Sequence, residues 1–345
     1  MARIVLGTAT LAPGGGIAQV SRVSAQILRD AGHEVTIIRY LDHDAGDGEI
    51  AAGGSKLRFV AATNRAAMQA DLCLYDSAGL ARAHPRWLKR PSVIWMHGTE
   101  VWEAMKPPAL QALRRASRAI VVSQNTLSRH EALYGPLPQA CICPLATETD
   151  EPAPPIARET NSPSVLIVGR IDAAENYKGH DALIAAWPTV IAAVPNARLV
   201  VAGGGSGVPA LRSLAAASPA AGSIDIRGFV ADADLAALWR DAAVFAMPSR
   251  GEGFGLVYIE AMRQGLPVIA SIHDGAKEVN VDGETGFNVD LDRPGELAQR
   301  LITLLSDAAL RQRMGEAGRQ RWHDHYRLSR WRSRFLPLIE DLLQP

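Results

Sequence analysis

The stretch from Ala243 to Ser271, AVFAMPSRGEGFGLVYIEAMRQGLPVIAS, restricts the fold more than any other part of the chain. Ala243–Met247 is a short apolar run, suited to a buried parallel strand. Ser249, Gly251, Gly253 and Gly255 then open the chain. From Gly255 to Gln264 the pattern is helical, with Leu256, Ile259 and Met262 on or near one face. Gly265 stops that helix and Pro267 follows shortly after it. Leu266–Ala270 reads as the next strand. Such a turn aims free backbone N–H groups, and the positive end of a helix, at whatever lies beyond the strand ends. A phosphate suits that place, and glycines keep Cβ atoms out of its way.

The same alternation runs through the chain and argues for open parallel sheets. In the first half, strands are expected at Arg3–Ala9, Glu34–Tyr40, Leu57–Val60, Asp71–Tyr75, Ser92–His97 and Ala119–Ser123. Helices are expected at Ile17–Ala31, Pro108–Ser117 and Gln124–Leu133. Thr147–Ser164 is rich in Pro, Glu, Thr and Ser and reads as a linker, with a boundary near Ala157. The second half continues with strands Val165–Val168, Arg198–Ala202 and Ile224–Ile226. Its helices are Lys178–Val194, Val208–Ala217 and Asp232–Asp241. At 345 residues two domains are expected, over 1–157 and 158–325. The tail 326–345 follows. Trp331, Phe335, Leu338 and Leu342 make it too apolar to stand alone in water. It suits either a return onto the first domain or a dimer surface.

The totals narrow the function. Lys+Arg and Asp+Glu both number 36, which argues against a dedicated nucleic-acid binder. Three cysteines, with Cys141 and Cys143 too close in an extended run to bridge easily, fit a reducing cytoplasm. The first residues lack the composition of a signal peptide. No apolar run reaches the ~18 residues of a membrane span.

Several residues stand out chemically. Glu252 and Glu260 flank the glycine loop; each has an ordinary reading, as a helix-terminus acid or a partner for Arg263. Arg170 follows the strand Val165–Val168. Lys178 stands at the expected start of a helix, where a cation opposes the dipole, so a local inconsistency there points to function. Arg grips two phosphate oxygens and Lys supplies a point charge. His97 closes a first-domain strand. The opening loop carries Gly14, Gly15 and Gly16 without dinucleotide-fingerprint spacing, which argues against NAD. Asp232-Ala233-Asp234 spells DxD but reads as a plain helix cap. Asp290-Leu291-Asp292 reads as a loop piece.

Glu252-Gly-Phe-Gly-Leu-Val-Tyr-Ile-Glu260, within SRGEGFGLVYIEAM, resembles the E-x7-E signature of family 4 retaining glycosyltransferases. VGRIDAAENYKGHD resembles that family's diphosphate-binding segment, and Gly32-His33-Glu34-Val35 its first helix end. The resemblance implies two Rossmann-like domains facing a central cleft (the GT-B architecture), with a C-terminal helix crossing back to the N-terminal domain. It assigns Arg170 and Lys178 to the diphosphate and Glu260 to the ribose hydroxyls. Glu252 and His97 fall to the transferred sugar, His97 as a contact and not as a base. Gly253, Phe254, Gly255 and Leu256 give backbone contacts, and Gly15 and Gly16 approach from the other domain. It also implies retention of configuration, with a phosphate oxygen taking the acceptor proton. Arg170, Lys178 and the helix N-termini can neutralise the diphosphate, so no metal or other cofactor is expected.

The expected activity is hexosyl transfer from a nucleotide-sugar, GDP-mannose or a UDP-sugar, to a glycan, lipid-linked or small-molecule hydroxyl. GRIDAAENYKGHD and IHDGAKEVN look most like polysaccharide-assembly members. A sugar-nucleotide 2-epimerase of the same architecture and a non-catalytic sugar-binding protein are the rivals. Between Arg82 and Arg118 stand eight Lys or Arg against Glu100 and Glu103, interleaved with Trp87, Leu88, Trp102, Leu110 and Leu113. That stretch, 82–118, suits an anionic membrane surface or an acceptor on a lipid diphosphate. The alternative is a solvated basic face over core leucines.

Overall fold

The computed structural model describes residues 1–154, 163–174 and 176–344. They divide into two compact units, one of residues 1–148 with 328–345 and one of 149–327. The boundary expected near Ala157 lies outside the described residues.

In the first unit, strands β1 (Arg3–Thr8), β2 (Glu34–Arg39), β3 (Glu49–Ala51), β4 (Leu72–Tyr75), β5 (Ser92–Met96), β6 (Arg118–Val121) and β7 (Ala140–Ile142) form one sheet. Its order is β3-β2-β1-β4-β5-β6-β7 and the pairings are parallel. Helices α1 (Gly16–Asp30), α2 (Lys56–Ala67), α3 (Thr99–Trp102), α4 (Pro107–Arg115) and α5 (Gln124–Tyr134) connect the strands. β4 and β5 are buried along their whole length, as apolar runs in a covered parallel sheet should be.

In the second unit, β8 (Ser164–Val168), β9 (Arg198–Ala202), β10 (Ile224–Gly228), β11 (Val244–Ala246), β12 (Val268–Ser271) and β13 (Gly286–Val289) pair in the order β10-β9-β8-β11-β12-β13, again parallel. The helices here are α6 (His180–Ala193), α7 (Val208–Ala216), α8 (Asp232–Asp241), α9 (Leu256–Arg263), α10 (Ala276–Val279), α11 (Glu296–Ser306) and α12 (Ala308–His325). Both are Rossmann-like sheets whose strand order reverses once, between β1 and β4 and between β8 and β11. The crevice beyond the strand ends at such a reversal is where ligands bind in open α/β sheets.

The chain ends in α13 (Leu328–Glu340), which belongs to the first unit. Trp331 and Phe335 are buried there against Trp95 of β5, at 6.1 and 5.7 Å between ring centroids. Arg118 binds the Leu338 carbonyl and Asp341, and Arg334 donates to the Pro144 carbonyl at 3.0 Å. The apolar tail thus finds its cover within its own chain.

Three sequence expectations fail locally. Leu57–Val60 is helix, not strand: Ser55 caps the Arg58 amide, and Phe59, Thr63 and Ala67 form one buried face of α2. α6 starts at His180 after a left-handed Gly179, so Lys178 stands in the turn before the helix and not in it. α8 spans Asp232–Asp241 as expected, but its N-cap is Ala231, so Asp232 and Asp234 lie in its first turn and neither is the cap.

Candidate functional site

The reversal point of the second sheet gathers the conspicuous residues of that unit. Gly169 and Arg170 follow β8, and the glycine loop follows β11. Lys178 Nζ forms an ion pair with Glu252 Oε1, both side chains being largely buried, at 15% and 14% exposure. Burial works against the charge on Lys178, but the Glu252 carboxylate, with Tyr177, more than offsets it and raises the Lys178 pKa. The ammonium also lies 5.0 Å from the Tyr177 ring centre. Arg170 is exposed and close enough to Lys178 to oppose its charge. An ion-paired ammonium and an exposed guanidinium at one strand end suit a doubly charged anion.

The loop that carries Glu252 is clamped from below. Asp274, fully buried after β12, accepts hydrogen bonds from Ser249 Oγ, the Glu252 amide at 2.9 Å and the Ala276 amide at 3.0 Å. The Gly275 amide donates to the Glu252 carbonyl at 2.9 Å. Ser271 Oγ donates to the Ser249 carbonyl, and Tyr258 OH to the Met247 carbonyl at 2.7 Å. Burial raises the Asp274 carboxyl to about 6, above the usual carboxylate range, against the lowering effect of its hydrogen bonds. Gly253 and Phe254 are buried, Phe254 edge-on to Tyr326 at 5.9 Å. Gly255 is the N-cap of α9, with no side-chain cap; the Tyr258 amide donates to the Gly255 carbonyl at 3.1 Å, and the Leu256 and Val257 amides are left to a ligand or water. Glu260 is half-buried in the second turn of α9.

Asp274 was missed from the sequence. An Asp-Gly pair after a strand reads as a turn. Its signal is position: it ends the strand next to the glycine loop's own strand, so both turns face one end of the sheet.

The first unit presents a second group. His97 follows β5, and its ring stacks on Trp95, with 5.8 Å between centroids and 17° between planes. Burial lowers its pKa to about 4, only partly offset by a hydrogen bond to the Asp76 carbonyl. The imidazole is therefore neutral near pH 7, and its Nε2 has no hydrogen-bond partner among the described residues. The Trp95 that supports it is the one held by α13. Asp76, also unread in the sequence, directly follows β4; its Oδ2 accepts from Thr8 Oγ1 at 2.8 Å and the Ala9 amide at 2.7 Å. It thereby anchors the loop that leads to Gly15 and Gly16. Those two residues are exposed, and Gly15 caps α1 without a side-chain hydrogen bond.

Within the basic stretch, the structure separates the residues. Trp102 and Leu113 are buried, Arg114 donates to the Tyr134 carbonyl at 2.8 Å, and Arg118 is engaged by the C-terminal segment. Arg82, Arg86, Lys89, Arg90 and Arg115 stay exposed. His273, Asp290 and Asp292 come together after β12 and β13, with Arg250 on Asp292 at 2.6 Å and Arg293 on Asp290 at 3.3 Å. Among the described residues no helix is long and apolar enough to cross a membrane.

Comparison with solved structures gives the fold. A sucrose-phosphate synthase from Thermosynechococcus elongatus superposes with a TM-score of 0.85 over 99% of both chains, at 22% identity. Anabaena HepE in complex with UDP gives a TM-score of 0.80 over 98% of this chain and 100% of that one, at 17% identity. These neighbours are GT-B glycosyltransferases. Among sequences, the GDP-mannose-dependent alpha-(1-6)-phosphatidylinositol monomannoside mannosyltransferase of Mycobacterium tuberculosis is 34% identical over 244 residues. That match covers 65% of this chain and 63% of the relative, so it spans less than two thirds of that protein's length. A phosphatidyl-myo-inositol mannosyltransferase of Mycolicibacterium smegmatis is 30% identical over 329 residues, covering 87% of this chain and 83% of the relative. The family model for glycosyl transferases group 1 matches residues 149–321, the part that holds Arg170, Lys178, Glu252 and Glu260. The chain belongs to the group 1 glycosyl transferases.

Proposed function

We propose that this protein is a retaining, metal-independent mannosyltransferase that uses GDP-mannose and a hydroxyl acceptor carried on a phospholipid. The observation that carries the reading is the buried Lys178–Glu252 pair, set beside Arg170 and the uncapped start of α9. Lys178, Arg170 and the α9 amides stabilise the charge that grows on the diphosphate as the bond from the anomeric carbon to its oxygen breaks. Glu252 and the backbone of Gly253 to Leu256 orient the sugar, and Glu260 binds the ribose hydroxyls. The acceptor oxygen bonds to the anomeric carbon on the face the diphosphate leaves, and its proton passes to a phosphate oxygen. In the first unit, neutral His97 contacts the sugar and is too weak a base to compete for that proton. Gly15 and Gly16 give amides to the phosphate. The mannosyltransferase relatives support the choice of GDP-mannose and of a phosphoinositide-type acceptor. We further place peripheral contact with anionic membranes on 82–118, through the cations that stay exposed.

Thermal unfolding with GDP, UDP and ADP tests the donor, since a ligand of the folded state raises its apparent stability by mass action. GDP should give the largest shift; a UDP preference overturns the mannose reading. With GDP-mannose and a phosphatidylinositol acceptor, proton NMR of the product should show the donor's anomeric configuration kept, in EDTA as without it. Activity lost in EDTA and restored by Mn²⁺ or Mg²⁺ overturns the metal-independent reading. Conversion of the sugar in donor alone would make the protein an epimerase.

A further inference from the structure

A cavity of about 650 Å³ opens in the first unit at the end of the sheet away from His97. Its wall includes Ser92, where β5 starts, and Ser117, just before β6. His97 follows the far end of β5, and five strand residues span roughly 16 Å. The cavity is therefore separate from the group around His97.

Arg82, Arg86, Lys89, Arg90 and Arg115 line it, and no carboxylate does. Some arginines elsewhere in this charge-balanced chain are paired with acids: Arg39 binds Asp42 and Glu49, and Arg250 binds Asp292. The five cations of the cavity have no ion-pair partner among the described residues. Five like charges around one hollow repel one another, and an anion relieves that repulsion. Ser117 Oγ accepts the Ser92 amide at 3.2 Å, which leaves its own proton free to donate. Leu88, Ile94 and Ala112 give the cavity an apolar side. Trp87, 70% exposed, stands between Arg86 and Leu88.

We propose that this cavity binds a phosphate-bearing ligand. Arginine forks match phosphate oxygens in pairs, and the apolar side accommodates the uncharged part of a phosphate ester. Both a free phosphate compound and a phospholipid headgroup have this chemistry; the exposed indole suits the second. The inference rests on nothing about the transfer reaction, and it sharpens the proposed membrane contact from a diffuse charged face to a discrete site.

The test uses the full chain with Lys178→Ala, so that the second unit's anion site is weakened. Two probes are measured: inorganic phosphate, by ³¹P line broadening, and vesicles of phosphatidylcholine with or without phosphatidate, by co-sedimentation. Adding Arg86→Ser, Lys89→Ser and Arg90→Ser together should weaken binding by roughly a hundredfold, from about 1 kcal/mol per cation near an anionic group. Arg198→Ser, Arg212→Ser and Arg313→Ser, which remove equal charge from the second unit, should leave binding unchanged. Vesicle binding that inorganic phosphate displaces assigns the site to a headgroup; phosphate binding without vesicle binding assigns it to a soluble ligand. Equal phosphate affinity with and without the three cavity cations, in variants of unchanged thermal midpoint, overturns the site. If vesicles bind those variants as tightly as the parent, the membrane contact lies away from these cations, and its placement on 82–118 falls with the cavity.

Discussion

The two glycine loops of this chain each stand at the reversal of strand order in their own sheet, after β1 in one and after β11 in the other, and they are built oppositely. Both follow a strand at a reversal of strand order, and both lead into a helix whose first amides have no side-chain cap. The loop before α9 is tied down by Asp274, Ser271, Gly275 and Tyr258, and it holds Glu252 against Lys178. The loop before α1 is anchored in its first half, by Asp76 on Thr8 and Ala9, by Asp42 on Thr10 and Leu11 and by Arg22 on the Leu11 and Ala12 carbonyls, and Gly14 to Gly16 are exposed. One fold element thus serves two purposes. The clamped loop presents fixed charge to a ligand without reorganising, which favours electrostatic stabilisation. The open loop has backbone amides to offer and little that fixes them in advance.

The largest expected effect is on the clamped side. Lys178→Ala should remove most turnover and weaken nucleotide binding by about 2–4 kcal/mol, through the lost charged contact and an unpaired Glu252. Calorimetry on a folded variant checks this. Unchanged nucleotide affinity would place the anion elsewhere and dissolve the contrast between the loops.

Next comes the loop backbone. Gly255 has φ +84°, and a Cβ there would stand 2.4 Å from the Tyr258 ring. Gly255→Ala should therefore destabilise the second unit by roughly 3 kcal/mol, from left-handed backbone strain plus overpacking. Urea unfolding should show it, together with a loss of nucleotide affinity as the Tyr258 bond to Met247 breaks.

These residues show what the sequence could and could not reveal. Buried parallel strands are apolar runs closed by Gly and Pro, so β4, β5, β8 and β9 were legible one by one. Leu57–Val60 was not, because Leu-Arg-Phe-Val fits a strand until the Ser55 cap and the alanines after it are weighed. β3 escaped because it has three residues and little burial. Glu252, Lys178 and Arg170 stood out by local inconsistency or glycine context. Asp274 acts on residues 22 and 25 positions away, and only the adjacency of β11 and β12 joins them. Asp76 and Thr8, 68 positions apart, depend likewise on the pairing of β1 with β4.

The clamp also has a pH signature. Burial raises the folded Asp274 carboxyl to about 6, against 3.8 for an unperturbed aspartate. The folded state therefore binds the extra proton between those values, and this group's contribution makes stability rise as pH falls from about 6 to about 4. Burial, and behind it the neighbouring Glu252 carboxylate, keep that charge unfavourable. In Asp274→Asn that slope, on the order of 2 kcal/mol across the window, should vanish. Urea midpoints at both pH values for the two proteins decide it. An unchanged slope in the variant would mean that another group supplies it and that the clamp carboxyl is ionised throughout.

The smallest effect isolates the comparison itself. Gly14 has φ +88°, nearly that of Gly255, but no atom lies within 4 Å of where its Cβ would stand. Gly14→Ala therefore meets backbone strain alone, about 1 kcal/mol, part of which is returned because alanine narrows the unfolded ensemble. The thermal midpoint of the first unit should move by no more than a few degrees, at roughly 2–4 °C per kcal/mol for a unit of this size. Nucleotide affinity should stay near that of the unaltered protein, since the clamped loop is untouched. The two alanine variants differ only in what surrounds the same backbone angle, so the gap between them measures how far each loop is packed. Equal losses at the two positions would show that the first loop is held as tightly as the second, by contacts made when ligand binds.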